Sequence, residues 1–207
     1  MTAAVPPAPA TVDFWFDPTC PWAWLTSRWL TEIEQGHDLT VRWHLMSRAV
    51  LNEDREVSPR YAEQLARSWG PLRVIAAARA AHGPWVVKAL YDAIGNQIHP
   101  GGEDDLAEAC RKALADVGLA PELADAAEDA AFDADVRASH AEAVALVGDD
   151  VGTPVLAIDG VGFFGPVVTP APTGEAAERL WDAVVLATSV PGFYELKRSR
   201  TQGPVFD

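Results

Sequence analysis

A cysteine at position 20 is the residue in this sequence best placed to do chemistry. It follows a short apolar and aromatic run, residues 14–16, which predicts a buried strand that stops before Pro18. Pro21 suits the first position of a helix, where no backbone donor is needed. The N-terminus of that helix would place partial positive charge beside Cys20 and favour its thiolate, the nucleophilic form. The turn therefore predicts a reactive thiol.

The elements around this turn follow the order strand, helix, strand. Apolar residues recur at helical spacing after Cys20 until about Gly36, and residues 39–45 then alternate as in a strand. A single cysteine is stronger evidence for a reactive thiol when it lies at the first strand-to-helix turn of a βαβ unit, as Cys20 does here.

The middle of the chain predicts helices without intervening strands, from about Asn52 to Gly148. Helices are expected at 59–81, at 84–98 and in two or three further runs between 104 and 147. Strands then return at 155–158 and 161–164, joined by a hairpin turn at Asp159–Gly160, and a final helix is expected at 174–188.

The Cys20 segment resembles the active-site turn of the DsbA-like proteins of thioredoxin fold, whose usual pattern is Cys-Pro-x-Cys. Residues 13–18, the Cys20-Pro21-Trp22 core, Trp24 and residues 26–29 are closely similar to the mycothiol-dependent reductase (nitroreductase) branch of actinobacteria. The resemblance runs from about residue 13 to residue 207.

This resemblance implies an α/β, thioredoxin-like fold with an inserted all-α helical subdomain. The expected organisation is a disordered N-terminal arm at 1–11, a thioredoxin-like domain at 12–51 and 149–207, and a helical subdomain at 52–148 that covers the Cys20 face. A homodimer is expected from the resemblance alone.

The resemblance also implies the residues that surround the thiol. Thr153-Pro154, just before a strand, is similar to the cis-proline element that faces the active-site cysteine and orients an extended thiol substrate. Trp22 follows Pro21 at the mouth of the site, where an exposed indole suggests an apolar or aromatic substrate. Cys20, Pro21, Trp22, Thr153 and Pro154 are the predicted catalytic residues.

Three residues of the helical insertion are implied to line the same pocket: Asn52, Tyr61 and His99. Together with Trp22 they form the predicted substrate-binding set. For His99, a capping or satisfied surface histidine is an equal alternative.

The chain departs from the family pattern at Ala23, which occupies the place of the second cysteine. In a Cys-x-x-Cys enzyme the second thiol resolves the mixed disulfide that the first one forms. Without it, resolution requires an external small thiol, and the resemblance implies mycothiol as that cosubstrate. The prediction is a thiol–disulfide oxidoreductase with one nucleophilic cysteine, which acts on a disulfide or an apolar electrophile.

Two alternatives remain open from the sequence. A lone thiolate beside an apolar pocket can add reversibly to a conjugated double bond, so the protein could be a cis-trans isomerase of a polyene or cinnamoyl-type substrate. The other is that Ala23 replaces the resolving cysteine of a dithiol reductase.

The composition of the sequence disfavours some classes of binding partner. The formal net charge of −14 disfavours binding to nucleic acids and anionic membranes, and no apolar run approaches the length of a membrane span.

The only two cysteines are Cys20 and Cys110, and Cys110 is expected to be a small buried side chain. With no secretory signal in the first ten residues, a reducing cytoplasm is the expected compartment. No metal or dinucleotide motif is present, so no bound cofactor is expected.

Overall fold

A computed structural model describes residues 11–206. Apart from Thr11, the arm predicted at 1–11 lies outside the described residues. Within residues 11–206 the sheet has four strands, β1 (Val12–Phe16), β2 (Val41–Leu45), β3 (Val155–Ile158) and β4 (Val161–Phe164). Their spatial order is β2-β1-β3-β4, with β1 parallel to β2 and the other two neighbouring pairs antiparallel.

Among the described residues, seven α-helices accompany the sheet: α1 (Pro21–Gly36), α2 (Arg48–Leu51), α3 (Pro59–His82), α4 (Trp85–Ile98), α5 (Leu106–Asp116), α6 (Asp133–Val147) and α7 (Gly174–Thr188). Two short 3₁₀ helices, Pro121–Glu128 and Ala130–Phe132, join α5 to α6. Helices α3 to α6 all lie between β2 and β3, as the sequence predicts, whereas the one-turn helix α2 has too little periodicity to be seen in the sequence. The domain boundaries given above remain a prediction.

The alternation of side chains along β1 divides the core between the two faces of the sheet. Val12, Phe14 and Phe16 are fully buried in the larger cluster, which also contains the inner faces of α1 and α4. Trp15 points to the other face, where it packs in a second cluster that includes Ala143 of α6. The sheet is thus covered by helices on both faces, and every residue of its two central strands, β1 and β3, is buried.

Contacts between aromatic residues join the helical insertion to the end of β1. The ring centroids of Tyr91 in α4 and Phe16 are 3.8 Å apart. A Cβ atom at Gly95 would overlap the ring of Trp24, so glycine is required for α4 to approach α1 this closely. This close approach brings the C-terminal end of α4 beside the Cys20 turn. None of the described helices has the length and apolar character needed to cross a membrane.

Candidate functional site

A hydrogen-bonded turn at the end of β1 positions the thiol. The carboxylate of Asp17 is fully buried and accepts hydrogen bonds from the backbone nitrogen and the hydroxyl of Thr19, at 2.9 and 2.7 Å. The backbone nitrogen of Cys20 donates to the Asp17 carbonyl oxygen at 3.0 Å. These bonds close the chain into a tight turn whose last residue is Cys20.

Cys20 is the N-cap of α1, with Pro21 in the first helical turn. The backbone N–H of Ala23 points at the Cys20 sulfur, with N and Sγ 3.5 Å apart. Free N–H groups and the helix dipole at this end both favour negative charge on the sulfur. The local sequence therefore builds a site suited to a thiolate.

The cis peptide bond Thr153–Pro154 lies directly against the thiol. When protonated, the Cys20 sulfur donates to the carbonyl oxygen of Thr153 at 3.4 Å. The structure thus brings together the two elements that the sequence places 133 positions apart. Cys20 is only 3% exposed in this arrangement.

Arg48, the first residue of α2, is a further charged residue of the site. Its backbone N–H donates to Asp17 Oδ2 at 2.9 Å, and its Nη2 donates to the hydroxyl of Thr19 at 2.6 Å. Burial lowers the pKa of Arg48, but the charges of Asp17 and Cys20 outweigh this effect and raise the pKa overall. A partly buried guanidinium within electrostatic range of Cys20 favours negative charge on the sulfur. The sequence gives no sign of this role, because Arg48 belongs to no recognisable motif.

His99 follows the last residue of α4 and lies on the other side of the turn. Its Nε2 is 3.0 Å from the carbonyl oxygen of Pro18, and its ring stacks on that of Trp24 with centroids 5.5 Å apart. Burial lowers the pKa of His99 to about 4, although the bond to Pro18 acts in the opposite direction. The imidazole is therefore neutral at pH 7, and Nε2 is the protonated nitrogen because a carbonyl can only accept. Of the alternatives left open by the sequence, a surface histidine does not fit this burial, whereas a capping histidine does, because His99 is the C-cap residue of α4.

Asn52 and Tyr61 both interact with Arg48. The Asn52 side chain donates to the carbonyl oxygen of Arg48 at 2.8 Å, so it supports α2 behind the turn. Tyr61 is half-buried in the first turn of α3 and lies within electrostatic range of Arg48. Both residues are thus connected to the Cys20 site by their interactions with Arg48.

Trp22 is half-buried, not exposed as the sequence suggests. The guanidinium of Arg200, from the segment after α7, lies 4.9 Å from the centroid of its ring. In the same segment, the ring of Phe206 lies 5.5 Å from that of His99. Sequence analysis misses both tail residues, since the segment has no periodicity and contacts positions remote in the chain.

The other residues relevant to thiol chemistry are enclosed in the core. Ala23 has no exposed surface. Burial raises the pKa of the Cys110 thiol to about 12, which keeps that thiol protonated. Within residues 11–206, His, Cys, Asp and Glu side chains form no cluster of three that could hold a metal ion.

Comparison with solved structures shows the same fold. The chain is similar to SCO1869 from Streptomyces coelicolor, described as a probable DsbA oxidoreductase, with a TM-score of 0.57, 19% identity and coverage of 94% of this chain and 96% of that one. It is also similar to the cytosolic disulfide reductase DsbM from Pseudomonas aeruginosa, with a TM-score of 0.51, 20% identity and coverage of 86% and 100%. A third similar structure is a 2-hydroxychromene-2-carboxylate isomerase, with a TM-score of 0.54, 16% identity and coverage of 85% and 93%. The predicted thioredoxin-like, DsbA-like fold is confirmed.

Sequence comparison identifies the family. The uncharacterized protein Rv2286c of Mycobacterium tuberculosis is 34% identical over 197 residues, which cover 94% of this chain and 84% of that protein. The sequence pattern of the Rv2466c-like family, described as that of the mycothiol-dependent nitroreductase Rv2466c, matches residues 19–198. The family confirms the prediction of an enzyme of the thiol–disulfide oxidoreductase type. With Cys20 at the start of the matched region and the fold shared with DsbA-like proteins, the chain belongs to the Rv2466c-like family of mycothiol-dependent reductases.

Proposed function

We propose that this protein is a monothiol oxidoreductase, in which Cys20 forms a mixed disulfide that mycothiol then resolves. The observation that carries the proposal is the position of the Cys20 sulfur between the N–H of Ala23 and the carbonyl of Thr153, with no thiol at position 23. The family description supports mycothiol as the cosubstrate.

In the first step the Cys20 thiolate attacks one sulfur of a mixed disulfide between mycothiol and a substrate thiol. A bond forms between Cys20 and the mycothiol sulfur, the original S–S bond breaks, and the substrate leaves as a thiolate that takes up a proton. The N–H of Ala23 and the charge of Arg48 stabilise the attacking thiolate before the step.

In the second step a second mycothiol thiolate attacks the mycothiol sulfur bound to Cys20. The Cys20 thiolate leaves, and mycothiol disulfide is released, so the substrate thiol is freed from its mixed disulfide while one free mycothiol is consumed to form mycothiol disulfide. A second cysteine in the motif would make this step intramolecular. Ala23 supplies only a buried methyl group, and the Cys110 thiol is enclosed and protonated.

Thr153 and Trp22 are proposed to orient the reactants. The residue before the cis-proline presents its backbone to an extended thiol, and the indole of Trp22 offers a flat apolar surface at the mouth of the site. Asn52, Tyr61 and His99 are proposed to border the same pocket, His99 through its contact with Pro18.

Incubation of the reduced protein with mycothiol disulfide tests the proposal. Intact mass and peptide mapping should show one mycothiol adduct, on Cys20, which excess mycothiol removes. Cys20→Ser should form no adduct, and Cys110→Ser should behave like the wild type. Absence of the adduct, or its formation on Cys110, would contradict the proposal.

A cis-trans isomerase is the second candidate, and the specific observation that favours it is Ala23. Reversible addition to a double bond needs one thiolate and no resolving thiol. A conjugated polyene or cinnamoyl substrate should then change geometry without consumption of mycothiol, and Cys20→Ser should abolish the change. Net oxidation of mycothiol in the same assay would reject this candidate.

Three further expectations belong with the proposal. A cysteine codon at position 23 of the natural gene would make the chain a variant of a dithiol reductase. A homodimer would be detected as twice the chain mass by light scattering. A reducing cytoplasm suits two cysteines that are both free in the structure.

A further inference from the structure

The segment that follows α7 contacts residues on both sides of the Cys20 turn. Near its start, Phe193 packs on Phe163 of β4, with ring centroids 5.7 Å apart. Seven residues later Arg200 lies over Trp22, and near the end of the chain Phe206 lies against His99. The family match ends at residue 198, so residues 200–206 lie beyond it.

The two contacts of this segment flank the thiol. Trp22 is the second residue after Cys20, and His99 is bonded to Pro18, the second residue before it. Six residue steps separate Arg200 from Phe206, and an extended chain of that length spans up to about 20 Å. The segment is therefore long enough to pass across the entrance between its two contacts.

One threonine holds the segment in place. The hydroxyl of Thr169 accepts from the backbone N–H of Val205 at 2.9 Å and donates to the carbonyl oxygen of Gly203 at 3.4 Å. The Thr169 carbonyl oxygen also accepts from the side chain of Gln202 at 3.2 Å. The loop that carries Thr169 is itself attached to α1, because Thr26 donates to the carbonyl oxygen of Pro166 at 2.6 Å.

The site is closed in this state. Cys20 is 3% exposed, and Phe206 is partly buried against the core cluster that contains Cys20 and Trp24. Two surface cavities, of about 530 Å³ beside His44 and about 250 Å³ beside His140, both lie away from Cys20. A bulky reactant that approaches Cys20 between Trp22 and His99 would need the space that the segment occupies.

Building on the role proposed for Cys20, we propose that residues 200–206 form a strap across the entrance to the thiol, in which Phe206 fills the subsite for an aromatic group of the substrate. An aromatic group on a substrate would replace Phe206 against His99, and Arg200 would move from the face of Trp22. Small thiol reagents need less of this space. The strap thus determines which substrates reach Cys20 by their size and shape.

Two methanethiosulfonates that differ only in the transferred group provide the test. In each reaction the Cys20 thiolate takes the alkylthio group and methanesulfinate leaves, so methyl and benzyl reagents compare size at constant chemistry. We expect Phe206→Ala to raise the rate of the benzyl reagent relative to the methyl reagent by roughly two- to tenfold, the factor that one aromatic pair contributes. Thr169→Val retains Phe206 but removes the hydroxyl that binds Gly203 and Val205. It should therefore also raise the rate of the benzyl reagent relative to the methyl reagent.

Tyr194→Ala is the matched control, because Tyr194 lies in the same tail and is 86% exposed. It should leave the ratio unchanged. If Cys20 reacts but neither Phe206→Ala nor Thr169→Val changes the ratio, the strap is rejected and the proposed function stands. If Cys20 reacts with neither reagent in any variant, the nucleophilic role of Cys20 is rejected, and the strap inference with it.

Discussion

The fully buried carboxylate of Asp17 lies 3.5 Å from Nε of Arg48, directly behind the turn that ends at Cys20. Asp17 also accepts from the backbone N–H of Arg48, while the guanidinium donates to Thr19. The fully buried carboxylate requires the partly buried guanidinium, because without it Asp17 would be an uncompensated buried charge. The pair therefore links the folding stability of the chain to the charge around its thiol.

Arg48→Met should destabilise the protein by about 3 kcal/mol or more, because it leaves Asp17 as an unpaired buried charge. Urea unfolding followed by circular dichroism measures this. The double variant Asp17→Asn with Arg48→Met should lose less than the sum of the two single losses. Arg60→Met, at an exposed position of α3, is the control for loss of an arginine. If the two single losses of unfolding free energy add up to that of the double variant, the proposed coupling between Asp17 and Arg48 is contradicted.

Arg48→Met should also slow the reaction of Cys20 with methyl methanethiosulfonate at pH 7, because a cation near the sulfur favours the thiolate. A severalfold lower rate in Arg48→Met is expected, with a smaller change in Arg48→Lys. An unchanged rate would limit Arg48 to a structural role.

Cys20 should be the thiol that reacts in the native protein. Cys110 is enclosed within α5, and burial raises the pKa of its thiol to about 12, so it presents almost no thiolate at neutral pH. Brief iodoacetamide treatment should add one carbamidomethyl group, on Cys20, and treatment after denaturation should add two. Faster labelling of Cys110 would reverse the assignment.

Protonation of His99 should oppose folding. Burial lowers the pKa of His99 to about 4, while an unfolded histidine titrates near about 6.5. Between these values the unfolded chain binds a proton that the folded chain does not, so the free energy of unfolding falls as the pH falls, by up to about 3 kcal/mol at pH 4. Above about pH 6.5 this contribution is constant.

Urea unfolding of wild type and His99→Gln at several pH values between 4 and 7 measures this contribution. His99→Gln should show a shallower pH dependence than the wild type. His82→Gln removes an exposed imidazole at the end of α3 and serves as the comparison. Identical slopes for wild type and His99→Gln would show that His99 does not titrate as described.

Ala23→Cys should convert the monothiol cycle into a dithiol one. The N–H of Ala23 lies 3.5 Å from the Cys20 sulfur, so a thiol on residue 23 would be within one helical turn of it. The mycothiol adduct of this variant should release mycothiol on its own and leave a protein disulfide, as measured by intact mass. Gln35→Cys, at the far end of α1, should retain the adduct.

The parts of the fold that are encoded locally could be predicted from the sequence. The bounds of α1 follow from the capping pattern at Cys20 and Pro21, and the β3–β4 hairpin follows from Asp159–Gly160, both of which adopt the positive φ that this turn requires. Arg48 and Phe206 could not be predicted, because their roles depend on tertiary contacts with Asp17 and His99 that no local pattern encodes.

The stacking of Tyr91 on Phe16 has a consequence for cooperativity. Phe16 is the last residue of β1, and Tyr91 belongs to the helical insertion, yet their rings are 3.8 Å apart and both side chains are fully buried. An opening that separates α4 from the sheet would expose both rings and one wall of the thiol site at once. The amides of α4 and β1 should therefore exchange hydrogen as one unit, and the turn that carries Cys20 should open no more readily than these two elements.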